Sequence, residues 1–285
     1  MQTKKFSLLI YSKLRNLLIL LLAVFLIAIG FYGSDPEYYT SSQVNLFITL
    51  NKSLSVTPEF WLNITALGDA AVLLSILSLF ILKNIRIWAA IFGSIPLGLI
   101  LTHGGKALFH MPRPAAIIDT QQFEIVGKVL TGYTSLPSGH TTTIFAIMTA
   151  ILCILILYRK TQHPFLWSIF ITLFASLVAI SRIAVGAHWP VDVLTGAVLG
   201  IISGISGVFL TYKYNAWWRW MSNAKFSYIH VIILLLFIYV LISRRQFIAI
   251  YWLSLSIAIF VITNLIFNRY KRRARESAAM ARSPR

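Results

Sequence analysis

Long apolar runs recur through this sequence, and their length is the feature that most constrains its fold. A helix rises about 1.5 Å per residue, so roughly 20 apolar residues cross the hydrocarbon layer of a bilayer. The runs are continuous and lack the alternation of membrane-barrel strands. They lie at 17–33, 61–82, 87–102, 141–158, 165–180, 191–212, 228–242 and 247–267. The sequence therefore predicts an all-α, polytopic membrane bundle of about eight transmembrane helices.

The net charge of +17 could indicate a nucleic-acid partner, so the distribution of the basic residues matters. If the amino terminus is cytoplasmic, most of the 25 Lys and Arg residues fall in segments on the cytoplasmic side. Cytoplasmic loops of membrane proteins carry such an excess. We therefore expect an inner-membrane protein with both termini in the cytoplasm, whose partner is the lipid bilayer and not a nucleic acid.

The first run follows a basic flank and has the outline of a signal peptide. A small-residue site at 28–30 would permit cleavage. We favour an uncleaved anchor, because the run continues through Phe31 and Tyr32 and many spans follow. Cys153 is the one cysteine, so neither an intramolecular disulfide nor a cysteine-rich zinc site can form.

Two segments on the outer side, 34–60 and 103–140, are too long to be tight turns, and we interpret Gly104 and Gly105 as loop signals in the second. Loops of that length in a compact bundle are usually functional. Three polar blocks stand at the outer ends of predicted helices, within 106–114, 136–140 and 181–192. The predicted topology places all three in the same compartment, so they can form one site.

Such a site would suit a phosphate group. Lys106, Arg113 and Arg182 supply three cations, and guanidinium groups match tetrahedral oxyanions. Ser138 and Gly139 stand where the fourth predicted helix begins, so backbone amides and the helix dipole point at the same anion. Taken singly, each block could equally be an interfacial anchor or a capping turn.

Two histidines are placed to carry chemistry. His188 and Asp192 are four residues apart, with Pro190 between them as a natural first-turn residue of a helix. The carboxylate can hold one imidazole nitrogen and leave the other free to attack phosphorus. His140, on another helix, could protonate the departing oxygen and later deprotonate a water.

These blocks together resemble the three-part signature of the type 2 phosphatidic acid phosphatase (lipid phosphate phosphatase) superfamily. The resemblance implies a phosphohistidine at His188 with Asp192 as its partner and His140 as general acid. It also implies chemistry that requires no metal or other cofactor. The residues that it assigns to phosphate binding are Lys106, Arg113, Ser138, Gly139 and Arg182.

The expected organisation is an anchor and outer loop at 1–60, a phosphatase core at 61–212, and a helix pair with a basic cytoplasmic tail at 213–285. The six-helix core of the family leaves the last two helices without an assigned role. Within the core, Asp69 is either a functional group or a cap. The four-residue spacing of Gly196, Gly200 and Gly204 predicts close helix packing.

The expected activity is removal of phosphate from a lipid on the outer face of the membrane. Substrates that the resemblance implies are undecaprenyl diphosphate, phosphatidylglycerol phosphate, phosphatidic acid and lipid A phosphates. Undecaprenyl diphosphate or a related envelope lipid is favoured, because an entrance between helices admits a hydrocarbon chain sideways. Two alternatives stay open: phosphotransfer from undecaprenyl diphosphate to lipid A, and lipid binding or transport without catalysis.

Overall fold

The computed structural model describes residues 16–17, 19–25, 27, 29–30, 35–158, 161–244 and 248–282. All regular secondary structure in these ranges is helical, which confirms the predicted fold class. The helices before residue 120 are α1 (Pro36–Ser41), α2 (Val44–Leu54), α3 (Pro58–Ala66), α4 (Ala70–Leu77), α5 (Leu79–Lys83), α6 (Ile85–Phe109) and α7 (Pro114–Ile117). The later helices are α8 (Gly139–Leu157), α9 (Pro164–Ala184), α10 (Pro190–Lys213), α11 (Asn215–Ser222), α12 (Ser227–Ser243) and α13 (Ala249–Arg282).

Six helices in the described part of the chain are long and apolar enough to cross a membrane, so the chain is a multi-pass membrane protein. They correspond to the third to eighth predicted spans. Their bounds are Ile85–Ile117, Gly139–Leu157, Pro164–Ala184, Pro190–Lys213, Ala224–Ser243 and Ala249–Arg272. The described residues of the first predicted span are helical up to residue 30. Its last residues, 31–33, and the basic flank before residue 16 lie outside the described residues.

The second predicted span is not one continuous helix. Pro58–Ala66 and Ala70–Lys83 meet at an angle of 69° instead of forming one continuous helix. The carboxylate of Asp69 accepts hydrogen bonds from the amides of Ala71 (2.9 Å) and Val72 (3.3 Å), so it caps a new helix. Capping is thus one role of Asp69.

The predicted glycine packing is confirmed on α10, which lies directly against α8. A methyl group on Gly196 would lie 2.7 Å from the carbonyl oxygen of Ser138, and one on Gly204 would lie 2.5 Å from that of Ala146. These separations leave no room for a side chain. The two backbones therefore approach as closely as glycine permits, and they hold the start of α8 beside the start of α10.

The predicted outer segment at 103–140 begins later than expected. Helix α6 continues to Phe109, so Gly104 and Gly105 are helical and Lys106 lies on the last turn. A methyl group on Gly105 would lie 2.8 Å from Cδ of Pro137. This glycine therefore permits close packing and does not end the helix, which is why its interpretation as a loop signal was wrong.

The other outer segment, 34–60, contains α1 and α2. Asn51 of α2 is fully buried, and its amide nitrogen donates to the carbonyl oxygens of Glu124 (2.9 Å), Ile183 (3.0 Å) and Ala184 (3.1 Å). Its Oδ1 atom accepts from the Glu124 amide at 2.7 Å. One side chain thus fastens the segment after α7 to the end of α9.

Candidate active site

His188 and Asp192 form a direct pair at the start of α10. His188 lies in the turn after α9, and Asp192 lies in the first turn of α10, which begins at Pro190 as the sequence predicted. Nδ1 of His188 is 3.1 Å from Oδ2 of Asp192, and both side chains are buried. The pairing leaves Nε2 of His188 as the nitrogen available for chemistry.

The Asp192 carboxylate accepts several other hydrogen bonds. Its Oδ2 atom accepts from Oγ of Ser135 at 2.5 Å and from the Trp189 amide at 2.8 Å, and its Oδ1 atom accepts from the hydroxyl of Tyr39. These donors fix the orientation of the carboxylate. The carboxylate therefore holds the His188 ring in one orientation.

Sequence reasoning missed Tyr39, Ser135 and Trp189 as partners of Asp192. Tyr39 comes from α1, far away in sequence, and Gln43 holds its backbone by donating to the Tyr39 carbonyl oxygen at 2.6 Å. Burial, together with the Asp192 charge, raises the pKa of Tyr39 well above its ordinary value, so its hydroxyl stays a donor. The length of the 34–60 segment was the available signal, but it singled out no residue.

The protonation state of His188 follows from its surroundings. Burial lowers the pKa of His188 to about 4, although the hydrogen bond and charge of Asp192 oppose that shift. The imidazole is therefore neutral near pH 7, and a neutral imidazole has a lone pair with which to attack.

Arg113 lies directly beside the free nitrogen of His188. Its Nη1 atom is 3.4 Å from Nε2 of His188 and donates to the carbonyl oxygen of Ala187 at 3.0 Å. Its Nη2 atom is 3.4 Å from the carbonyl oxygen of Thr134. The guanidinium is thus held next to the position that a phosphate attacked by Nε2 of His188 would occupy.

Arg182 is a second buried cation next to this pair. Its carbonyl oxygen accepts from the amides of Ala187 (3.0 Å) and His188 (3.2 Å), so the arginine and the histidine share one backbone turn. Its Nη1 atom donates to the hydroxyl of Thr65, while its Nε atom has no hydrogen-bond partner among the described residues. An unpaired buried donor is costly, and a bound anion would satisfy it.

Ser138 and Gly139 lie at the start of α8, as predicted. The Ser138 amide donates to the backbone carbonyl of Asp192 at 3.0 Å, so this amide is not free for an anion. A methyl group on Gly139 would lie 3.9 Å from Nζ of Lys106, which places the ammonium group beside the first turn of α8. Lys106 therefore lies at the helix terminus, where anions are favoured.

His140 lies in the first turn of α8. No hydrogen bond among the described residues joins it to His188, and its Cβ would be 2.7 Å from a methyl group placed on Gly68. With Lys106 and Gly139 it lines a cavity of about 400 Å³ between α4, α6 and α8. The structure therefore brings His188, Asp192 and Arg113 into direct contact, and it places His140 within range of the charges of Arg182 and His188 without a direct hydrogen bond to His188.

Residues 87–224 of the chain match the family model described as the PAP2 superfamily. It is 30% identical over 185 residues to phosphatidylglycerophosphatase B of Haemophilus influenzae, covering 50% of this chain and 75% of that protein. It is 28% identical over 193 residues to an undecaprenyl-diphosphatase of Sulfolobus acidocaldarius, covering 65% and 83%. The chain therefore belongs to the PAP2 superfamily.

A solved structure agrees with this family in its fold. The PAP2-type phosphatidylglycerolphosphate phosphatase of Bacillus subtilis superposes with a TM-score of 0.52 at 22% identity, covering 70% of this chain and 96% of that one. Several other curated relatives are matched over less than half of their own length.

Proposed function

We propose that the chain is an integral-membrane phosphatase that hydrolyses a phosphomonoester or diphosphate of an envelope lipid through a phosphohistidine. The observation that carries this proposal is the buried His188, oriented by Asp192, with Arg113 3.4 Å from its free nitrogen. A site that only bound phosphate would need the cations but not this oriented, neutral imidazole.

In the first step, Nε2 of His188 forms a bond to phosphorus while the bond from phosphorus to the leaving oxygen breaks. The electron pair goes to that oxygen, and His140 supplies the proton. Arg113, Arg182 and Lys106, with the hydroxyl of Ser138 and the start of α8 at Gly139, stabilise the charge that develops on the phosphoryl oxygens. No step in this scheme draws on a metal.

In the second step, His140 takes a proton from water, and the water oxygen attacks the phosphohistidine. The bond between phosphorus and Nε2 breaks, inorganic phosphate leaves, and His188 returns to its starting state. If a second lipid phosphate accepts the group in place of water, the same site acts as a phosphotransferase.

A lipid substrate is supported by the cavity beside His140. Its walls are largely apolar, with contributions from Leu74, Ile95, Leu99 and Ile147. Burial of each methylene group of a hydrocarbon chain contributes about 0.8 kcal/mol. The polar end of this cavity, at Lys106 and His140, would then receive the phosphate.

The site faces the outer side of an inner membrane in this proposal, with both termini in the cytoplasm. The candidate residues lie at the end of α6, the start of α8, the end of α9 and the start of α10, which is one end of the bundle. Arg86 and Arg219 line a cavity of about 710 Å³ with the opposite ends of these helices. That basic end suits the cytoplasmic face.

Phosphate release from a panel of lipids by purified protein tests the function. The panel comprises undecaprenyl diphosphate, phosphatidylglycerol phosphate, phosphatidic acid and lipid A. We expect His188→Ala to abolish release, and we expect wild-type rates from a matched control, His163→Ala, which alters an exposed residue before α9. Release at the wild-type rate by His188→Ala, or activity confined to water-soluble phosphates, would contradict the proposal.

A further inference from the structure

Arg244 lies at the end of α12 and reaches the cavity that Lys106, Gly139 and His140 line. It belongs to the carboxy-terminal helix pair, outside residues 61–212. Its guanidinium pairs with the carboxylate of Asp69, and the exposed fractions of the two side chains are 41% and 11%. The helix pair thus places a fourth cation at the candidate site.

Asp69 lies between two arginines and adjoins the candidate acid. Its charge acts on Arg182 as well as on Arg244. The preceding residue, Gly68, packs directly against His140, and the charges that act on His140 include that of Arg244. Arg244 is therefore a neighbour of His140.

The role that follows from this position of Arg244 rests on the proposed function. In an in-line displacement the leaving group departs opposite the nucleophile, so it departs on the side of the acid that protonates it. The cavity is lined by His140 and not by His188. It therefore receives the leaving group, with its hydrocarbon chain along the apolar walls.

We propose that Arg244 binds the departing phosphate of a lipid diphosphate and thereby selects diphosphates over monoesters. Nε2 of His188 bonds to the terminal phosphorus, and the bond from that phosphorus to the bridging oxygen breaks. The electron pair stays on the bridging oxygen, which takes the proton of His140. The lipid monophosphate that leaves is still an anion, and Arg244 neutralises it.

A monoester gives Arg244 much less to bind, because its leaving group is a neutral alcohol once protonated. A guanidinium has five donors in a planar fork, so the hydrogen bonds of Arg244 to Asp69 and Tyr251 leave others for a phosphate. Water then hydrolyses the phosphohistidine as before.

The decisive measurement is the ratio of kcat/KM for undecaprenyl diphosphate to kcat/KM for phosphatidic acid. We expect Arg244→Gln to lower this ratio about 10- to 100-fold, the effect of losing a charge-assisted phosphate contact. Arg269→Gln is the matched control, since Arg269 is a basic residue of the same helix pair that lines a different cavity. We expect it to leave the ratio unchanged.

The Asp69→Asn variant tests whether Arg244 binds substrate or only forms a structural ion pair with Asp69. Asparagine keeps the helix cap but releases Arg244 from its carboxylate partner, so we expect the ratio to rise. An equal loss of both activities in Arg244→Gln overturns the inference, as does an unchanged ratio. If Arg244→Gln does not fold, an unchanged or lower ratio in Asp69→Asn overturns it.

The activities of the wild-type protein on the two lipids distinguish a wrong role for Arg244 from a wrong proposed function. If the wild-type enzyme cleaves only phosphatidic acid, and this cleavage depends on His188, the proposed function stands and the role of Arg244 is wrong. A wild-type protein that releases phosphate from neither lipid removes both.

Discussion

Nδ1 of His188 lies 3.1 Å from Oδ2 of Asp192, and that oxygen also accepts from Ser135 and from the Trp189 amide. The carboxylate is completely buried, so these donors, with Tyr39 on the other oxygen, replace the water that would otherwise solvate it. Because the carboxylate needs a donor from the imidazole, the proton of the neutral ring resides on Nδ1. The lone pair is then on Nε2, which faces Arg113.

Replacing Asp192 by Asn should lower kcat by about 10²- to 10⁴-fold. The amide keeps the size of the side chain but no longer favours the Nδ1–H tautomer, so the ring presents the wrong nitrogen. Steady-state phosphate release in detergent measures this effect, and the thermal unfolding midpoint checks that the fold is intact. A folded Asp192→Asn variant with wild-type kcat would show that the pair does not orient the nucleophile.

Replacing Tyr39 by Phe should lower kcat by about 10-fold and leave KM nearly unchanged. Tyr39 acts through Asp192 and does not contact the phosphate position, so its loss affects the positioning of His188 and not substrate binding. Tyr239→Phe, an exposed tyrosine on α12, is the matched control. An increase in KM without a change in kcat would exclude this positioning role.

The imidazole of His188 should stay neutral down to about pH 4 in the folded protein. Histidine NMR signals from the detergent-solubilised protein, assigned by comparison with His188→Asn, measure this titration. Because burial depresses the pKa below its ordinary value of 6.5, the unfolded chain binds more protons between these two values. Stability should therefore fall as pH falls from about 6.5 to about 4, and His188→Asn should reduce that slope. A titration midpoint at 6.5 or above would refute the assignment.

Replacing Gly204 by Ala should destabilise the protein by about 1–3 kcal/mol, the usual effect of forcing a methyl group into a packed core. The added carbon would lie 2.5 Å from the carbonyl oxygen of Ala146, so α8 and α10 would have to separate. Gly104→Ala is the matched control, because a methyl group there meets no atom within 4 Å. Thermal midpoints in one detergent compare the two variants, and equal midpoints would argue against tight packing at Gly204.

Much of the fold could be predicted from the sequence, because hydrocarbon thickness imposes a length on each apolar run. The third to eighth spans follow from that length alone. The break at Gly68 and Asp69 could not be predicted in this way, because an apolar run does not show where a helix changes direction. The glycines at 104–105 were misinterpreted for a related reason: glycine permits both a turn and a close contact, and only tertiary packing against Pro137 decides between them.

The candidate site, too, could be predicted only in part. His188 and Asp192 are four residues apart on one local turn, so their pairing could be predicted from spacing. Tyr39 and Arg244 reach the site from α1 and α12, and a contact across such sequence distances leaves no local pattern. The place of His140 in the lining of the cavity was equally hidden, since the motif orders the residues along the chain but not in space.

The backbone bond from Ser138 to Asp192 has a mechanical consequence. It joins the first turns of α8 and α10 at the point where glycines already allow the two helices to pack closely. A thicker or thinner bilayer would tilt these helices as one body, so the spacing between residues 140 and 192 is insulated from changes in lipid composition. We then expect adaptation to a different bilayer to occur in α12 and α13, which are less buried than α10.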